Sequence, residues 1–320
     1  MIHNKIKQFR GVFAFLGLVL LLSAGDMESC FAADSKEAYS RKHTLVIGKV
    51  SSNPKKHYAY IKPILDYVVQ NMGDIGIKQG KVLLVKDNKK MIRYIKRDKV
   101  DWITETPFSA VIFEEKSGAE LLLRKWKKGV PEYHTVFITR KNSGINSLEK
   151  LKGKTIAFED PGSTTAFYVP FSVLKEKGLE LEALETPREK PRASNVGYVF
   201  ARQEINMSTW VHKGLVAAAA YSNLDWIKED HTPKAFKKDL RIFHKTRSFP
   251  RAIELVRKDL DPKIKQRLKD ILLNAHNDPK AKKALRRYQK TTKFDELDER
   301  AKAGMEEVRK ILRIVRSEEE

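Results

Sequence analysis

The segment KTIAFEDPGSTTAF (154–167) contains the clearest change from strand-like to helix-like sequence in the chain. Its apolar, partly β-branched start predicts a buried strand, and the Pro-Gly pair at 161–162 predicts a turn after it. The hydroxyl residues 163–165 then open an apolar run that ends at Gly178, which predicts a helix. The segment therefore predicts one strand–turn–helix unit of an α/β fold, with hydroxyl side chains where the helix begins.

The start of this predicted helix is a candidate anion site. The first amides of a helix have no partner within it, and the helix dipole places partial positive charge there. Hydroxyl donors from Ser163, Thr164 and Thr165 would favour a phosphate, phosphonate, sulfate or carboxylate at that position. The alternative is that Ser163 only caps the helix.

Sequence on both sides repeats the alternation of strands and helices. Further strands are predicted at TLVIGKV (44–50), KVLLVK (81–86), VDWIT (100–104), AELLLR (119–124), YHTVFITR (133–140), VAAAAYS (216–222), LRIFHK (240–245) and RAIELVR (251–257). Helical spacing of apolar residues fills much of the sequence between them, and the tail from Asp261 is helical and charged. Two such series predict two α/β lobes with parallel strands, and no fixed-period repeat indicates a solenoid or a propeller.

Ligands of parallel α/β sheets bind beyond the carboxyl ends of the strands. That rule selects seven residues after the first and third strands: Ser51, Ser52, Asn53, Thr104, Glu105, Thr106 and Phe108. Tyr58, Phe108 and Tyr221 could line the same cleft as rigid, partly polar side chains, with core packing as the alternative. Glu105 has two interpretations: it pairs with a lysine, or it binds the ammonium group of a zwitterionic ligand.

Composition limits the function classes. The 320 residues include 63 Lys and Arg against 41 Asp and Glu, a net charge of +22. The basic residues are spread through Lys-rich helical segments without stacking aromatics, so nucleic acid is not an expected partner. The single Cys excludes a disulfide framework and a cysteine-based metal site. The eight His never pair at metal-ligand spacing, so no metal is predicted.

The N-terminus predicts export. A basic start is followed by the apolar run at residues 11–25, which is too short to span a bilayer. Residues 1–32 therefore read as a signal peptide, cleaved after Ala32, and the mature protein as periplasmic. Alternatively, Cys30 is the lipid-modified first residue of a lipoprotein, although Glu28 places a charge before it where a small residue is expected.

Motifs for catalysis are missing from the sequence. The Gly-Lys-Thr run at 153–155 lacks the upstream glycine of a phosphate-binding P-loop, because position 148 is Leu. Neither a GxSxG nor an HExxH motif occurs, and no dinucleotide-binding glycine pattern is present. We therefore predict no catalytic residues and no cofactor.

Four segments, taken in order, resemble one known family. They are TLVIGKVSSNP (44–54), VDWITETPFSA (100–110), RKNSGINSLEKLKGKTIAFEDPGSTTAF (140–167) and KGLVAAAAYSNLDW (213–226). Together they resemble the phosphate/phosphite/phosphonate-binding subunits of bacterial ABC importers. The most specific part is the family's central signature, of which this chain keeps Ser147, Leu148, Leu151, Gly153, Lys154, Thr155, Phe158, Asp160, Pro161, Ser163 and Thr164.

The resemblance implies a type II periplasmic-binding-protein fold. Two lobes, each a mainly parallel sheet flanked by helices, would be joined by two crossing hinge strands, with the ligand held between them. Mapped here, lobe 1 is residues 42–135 plus 246–320 and lobe 2 is residues 136–245.

The resemblance also assigns roles and partners. Ser163, Thr164 and the Thr165 amide would bind phosphoryl oxygens, and Thr104, Thr106 and the 51–53 loop would face them from lobe 1. The expected partners are a small anionic or zwitterionic ligand and an ABC permease in the inner membrane, with the protein itself a monomer.

Three other functions stay open from the sequence. The same fold could sense a ligand for a membrane receptor, or could serve an enzyme acting on a phosphorylated substrate. The net charge of +22 could instead support binding to a polyanion or a membrane surface.

Overall fold

The computed structural model describes residues 41–161 and 163–317. The predicted signal peptide, Cys30 and the Gly162 position of the predicted turn lie outside the described residues. The chain divides after Thr44, and the fold is that of the unit Leu45–Glu320. Among the described helices, none is both long enough and apolar enough to cross a membrane.

Strands and helices alternate through most of the described chain. The strands are β1 Thr44–Val50, β2 Gln79–Val85, β3 Trp102–Glu105, β4 Glu120–Lys125, β5 Glu132–Tyr133, β6 Thr135–Arg140, β7 Thr155–Phe158, β8 Leu181–Ala183, β9 Val196–Phe200, β10 Ala218–Ser222, β11 Leu240–Lys245, β12 Phe249–Pro250, β13 Ile253–Val256 and β14 Phe294–Asp295. The helices are α1 Pro54–Gln70, α2 Asn88–Ile95, α3 Pro107–Ser117, α4 Val169–Glu176, α5 Glu204–His212, α6 Asn223–Ile227, α7 Lys234–Lys237, α8 Pro262–Asn274, α9 Lys282–Arg287 and α10 Glu299–Ser317. Single turns of other helix types include the π-helical turn Thr164–Tyr168, which leads into α4.

These strands form two six-stranded sheets. The first sheet has the order β14-β4-β13-β3-β1-β2 and the second has the order β11-β6-β10-β7-β9-β8. In the second sheet, β10, β7, β9 and β8 run parallel, and β6 and β11 join them antiparallel. In the first sheet, β1 is parallel to β3, whereas β13 is antiparallel to both β3 and β4. The α/β class predicted from the sequence is confirmed.

A short ribbon lies between the two sheets in the chain. The two residues of β5 pair antiparallel with β12, in the register Phe249 with Tyr133. The chain passes from the first sheet to the second through β5 and returns through β12. The lobes predicted at residues 42–135 plus 246–320 and 136–245 remain a prediction, with this ribbon as their hinge.

Local sequence explains where the elements begin and how tightly they pack. Asn53 caps α1 by accepting a hydrogen bond from the Lys56 amide at 3.1 Å, and Pro54 occupies the first helical position. Gly48 in β1 allows close packing, because a Cβ there would lie 2.7 Å from Val100 Cγ2. The cap fixes where α1 begins after β1, and the glycine allows β1 to pack closely against Val100.

The strand ends of the first sheet meet at one edge. Ile253, at the start of β13, is paired with Glu105 at the end of β3 and with Arg124 near the end of β4. Because β13 runs antiparallel, the residues before it reach the same edge as the residues after β1, β3 and β4. Residues at this edge of the first sheet line the candidate ligand-binding site.

Candidate ligand-binding site

A cavity of about 730 Å³ lies between the edges of the two sheets. Eight of the twelve predicted site residues line it: Ser51, Ser52, Thr104, Glu105, Thr106, Ser163, Thr164 and Thr165. We call the part formed by the first sheet and the β5–β12 ribbon the first wall, and the part formed by residues 159–161 and 163–165 the second wall. The strand-end rule therefore brings together residues that are far apart in the sequence.

The structure places four predicted residues outside this cavity. Asn53 caps α1, and Tyr58 is 47% exposed to solvent. Phe108 is buried and stacks on Tyr168 with ring centroids 5.1 Å apart. Tyr221 is fully buried among apolar residues of the second sheet and α5, because its side chain turns onto the face of the sheet and not past its edge. Its hydroxyl is 2.8 Å from Thr232 Oγ1.

Glu105 ties two strands of the first wall together. Its Oε1 accepts a hydrogen bond from the Val50 amide at 2.7 Å and lies 3.2 Å from Lys49 Nζ. Its Oε2 accepts from the Thr106 amide at 3.2 Å. The carboxylate is thus engaged by the protein itself, which favours the lysine-pairing interpretation over an ammonium-binding one.

Glu254 is the centre of a buried network beneath the first wall. Its carboxylate accepts hydrogen bonds from Trp102, Thr104 and Tyr288 at 2.6–3.0 Å. Lys125 Nζ lies 3.2 Å from Glu254 and donates to Thr104 Oγ1 at 2.6 Å. The Thr104 hydroxyl therefore donates and accepts within the protein, and its role is to hold Lys125 in place.

Two further cations of the first wall, Lys127 and Arg251, lack such a partner. Arg251 Nε is fully enclosed and has no hydrogen-bond partner in the described part of the chain. Burial, together with the charges of Lys125, Arg251 and Lys49, lowers the pKa of Lys127 to about 7. Burial also lowers the pKa of Arg251. Near neutral pH Lys127 is therefore only partly protonated, and an anion bound beside it and Arg251 would favour its charged form.

The second wall offers hydroxyl groups and one carboxyl. Ser163 caps the π-helical turn by accepting from the Ala166 amide at 3.3 Å, and it donates to Glu159 Oε2 at 2.8 Å. Thr164 and Tyr133 of β5 both line the cavity. The Ser163 hydroxyl is therefore already engaged, as the capping alternative predicted, and Thr164 and Thr165 extend the line of hydroxyls along the wall.

Glu159 is the group of the second wall whose ionisation is disfavoured. Burial raises the pKa of Glu159 to about 7, and the nearby carboxylate of Glu204 adds to the rise. The hydrogen bond from Ser163 opposes the rise without cancelling it. Near neutral pH this carboxyl is therefore only partly ionised, which reduces its repulsion of an anion.

Within residues 41–161 and 163–317, one group of three side chains has metal-ligating atoms close together: Glu204, Asp225 and His231. His231 Nδ1 lies 2.9 Å from Asp225 Oδ1, and Lys228 Nζ lies 2.9 Å from His231 Nε2. The lysine ammonium already supplies positive charge at this cluster. The arrangement is an ion-pair cluster between helices α5 and α6.

Thirteen of the 21 lining residues were not predicted from the sequence, and four of these matter most for the site: Lys49, Lys127, Tyr133 and Arg251. Two of them carried a usable signal, because Lys127 closely follows the end of β4 and Arg251 precedes β13. The strand-end rule would have selected both if β13 had been assigned as antiparallel. Tyr133 belongs to the two-residue strand β5, which is too short for a pattern to reveal.

Comparisons with known proteins identify the family of this chain. Residues 48–301 match the family described as "ABC transporter, phosphonate, periplasmic substrate-binding protein". The structure of XAC2383 from Xanthomonas citri with chloride is 37% identical, covers 86% of this chain and 99% of its own, and has a TM-score of 0.78. The same protein with ATP is 38% identical over 85% of this chain and 98% of its own, with a TM-score of 0.76.

Two further relatives are more distant. The phosphonates-binding periplasmic protein of Escherichia coli K12 is 25% identical over 258 residues, which are 78% of this chain and 71% of that protein. PhnD1 from Prochlorococcus marinus MIT 9301, solved with methylphosphonate, is 17% identical and has a TM-score of 0.60 over 86% of this chain and 99% of its own. This last likeness concerns the fold alone, and it confirms the predicted type II periplasmic-binding-protein architecture.

Proposed function

The chain belongs to the periplasmic substrate-binding proteins of phosphonate ABC transporters, and within that family we propose that it captures a small phosphonate or phosphate dianion in the cavity between its sheets. Such a protein binds a small ligand, works with a membrane permease and is not an enzyme. The family is periplasmic, which confirms the prediction of export. Lipid attachment at Cys30 and a monomeric state remain predictions.

One observation carries the ligand proposal. Arg251 and Lys127 are crowded into the first wall without a carboxylate partner, opposite the hydroxyls of Thr164 and Thr165. A dianion would neutralise both cations and accept the hydrogen bonds of the facing wall. Lys49 and Lys125 are already paired with Glu105 and Glu254 and need no further counterion.

The names of the relatives support an anionic ligand. The Escherichia coli relative is a phosphonates-binding protein, and the Xanthomonas relative has been solved with chloride and with ATP. These ligands share negative charge, and two of the three classes contain phosphorus. The family of transporter components favours delivery to a permease over the sensing and enzyme alternatives.

The proposed mechanism is capture between two walls. An anion that contacts Arg251 on one side and Thr165 on the other binds the closed arrangement better than an open one. Closure about the β5–β12 ribbon would then follow from the difference in affinity. A permease that recognises the closed form would receive mainly loaded protein.

Calorimetric titration with methylphosphonate and phosphate tests the proposal. Arg251→Leu should weaken binding about hundredfold, because it removes charge-assisted hydrogen bonds of the kind that contribute about 1.5–3 kcal/mol each. The melting temperature of the ligand-free variant should change little, because the variant loses the packing of the guanidinium over the Tyr133 ring, 5.4 Å from its centroid, but also loses a buried cation that lowers the pKa of Lys127.

Arg247→Leu is the matched control. Arg247 is exposed and lies outside the cavity, so its replacement should leave the affinity unchanged. Equal affinities of both variants for methylphosphonate, or no binding of either anion by the unaltered protein, would refute the proposed function.

A further inference from the structure

The cavity is larger than one phosphonate group requires. Its volume of about 730 Å³ lies in the range of about 300–1,000 Å³ that holds ligands of drug size. The groups of the proposed phosphonate site, Arg251, Lys127, Thr164 and Thr165, occupy one end of it. The opposite side of the cavity lies where β1 and β2 terminate, and different residues line it.

Strand order separates the cations of the first wall. Arg251 immediately precedes the β13 region, whereas Lys86 directly follows β2, and the sheet order between them is β13-β3-β1-β2. Neighbouring strands lie about 4.8 Å apart, so three spacings separate these two backbone positions by about 14 Å. The two backbone positions therefore lie towards opposite ends of this edge of the first sheet.

The far end is built from donors and a cation. Lys86 lines the cavity and forms no ion pair with any described residue. Ser52 and His57 line the cavity at the same end, and His57 Nδ1 lies 2.6 Å from Ser51 Oγ. Burial, followed by the charge of Lys49, lowers the pKa of His57.

Carboxylates among the described lining residues do not compensate Lys86. Glu105 is engaged by Lys49 and two backbone amides. Glu159 belongs to the second wall, where Ser163 donates to it, and Asp160 lies 3.6 Å from Arg202. The end around Lys86 therefore holds unneutralised positive charge, which repels an ammonium group and attracts an anion.

We propose that the ligand carries a second anionic group, a carboxylate, held by Lys86 with Ser52 and His57. This inference rests on the proposed function, because the first anionic group occupies the Arg251 end. It narrows the substrate class from phosphonates in general to those with negative charge at both ends.

A series of phosphonocarboxylates tests this proposal. We expect at least one of phosphonoacetate, 3-phosphonopropionate and 4-phosphonobutyrate to bind about tenfold more tightly than methylphosphonate, the effect of one added charge-assisted hydrogen bond. Lys86→Met should reduce this ratio of affinities to about one. Lys89→Met, which changes an exposed lysine of α2 outside the cavity, should leave the ratio as it is.

The outcomes separate this proposal from the broader one. If methylphosphonate binds and no phosphonocarboxylate binds more tightly, only the second-anion proposal is wrong. That proposal is equally wrong if 2-aminoethylphosphonate is the tightest ligand, or if Lys86→Met preserves the ratio. If methylphosphonate and every phosphonocarboxylate fail to bind, the proposed function is wrong and this inference with it.

Discussion

The two walls of the cavity carry charge in different ways. The first wall contains two neutralised ion pairs, Lys49 with Glu105 and Lys125 with Glu254, beside the unneutralised Lys127 and Arg251. The second wall presents hydroxyls and a carboxyl, Glu159, whose pKa is raised to about 7. Positive charge is thus concentrated on one side and neutral hydrogen-bond donors on the other.

This difference shows how an anion could close the cavity. Lys127 and Arg251 repel each other and are desolvated, so burying both as cations in the first wall is electrostatically unfavourable. The second wall cannot relieve that repulsion, because its nearest carboxyl is partly protonated. A bound dianion relieves it and also supplies acceptors for the hydroxyls of the second wall. The same ligand would therefore form stabilising interactions with both walls.

The largest expected effect concerns the buried pair of the first wall. Glu254→Ala should lower the free energy of unfolding by about 3–5 kcal/mol, because removing one partner leaves Lys125 buried and uncompensated. Chemical denaturation of the ligand-free protein measures this. Glu229→Ala, at an exposed pair with Lys234, is the control and should change stability by less than about 1 kcal/mol. A similar small loss for both variants would mean that the first wall does not depend on this pair.

A smaller effect is expected on the second wall, from Glu159→Gln. The pKa of Glu159 is about 7 in the folded protein against an ordinary value of 4.5. The carboxyl therefore contributes stability below about pH 4.5 that is lost as pH rises through about 7. At pH 8 the Gln variant should be more stable than the unaltered protein by about 1–2 kcal/mol, with a weaker pH dependence between pH 5 and pH 8.

Denaturation at pH 5, 6, 7 and 8 measures this difference. Glu185→Gln replaces an exposed glutamate outside the cavity and should follow the unaltered protein at every pH. If Glu159→Gln and Glu185→Gln behave alike, Glu159 is an ordinary ionised carboxylate and the two walls differ less in charge than we propose.

Much of the fold and eight of the 21 residues that line the cavity could be predicted from the sequence. The strands at 44–50, 100–104 and 154–159 were indicated by apolar runs and turn residues. The strand-end rule then selected lining residues such as Ser51, and the hydroxyls at the start of the predicted helix indicated Thr165. These predictions were correct because each depends on residues that are adjacent in the sequence. They did not require knowledge of strand order.

The remaining site residues depend on tertiary structure. Arg251 lines the cavity only because β13 is antiparallel, and no local pattern shows the direction of a four-residue strand. The pairing of Glu105 with Lys49 depends on β1 lying beside β3. Tyr221 was misplaced because alternation along β10 decides which face it meets, and the run of alanines before it conceals that alternation.

A crystal structure of the protein with bound methylphosphonate would test the central claim most directly. We predict phosphonyl oxygens within about 3.2 Å of the Arg251 guanidinium and, on the opposite side, of a hydroxyl or amide of Thr164 or Thr165. Methylphosphonate bound elsewhere, or bound to the second wall with Arg251 still lacking a partner, would contradict this claim.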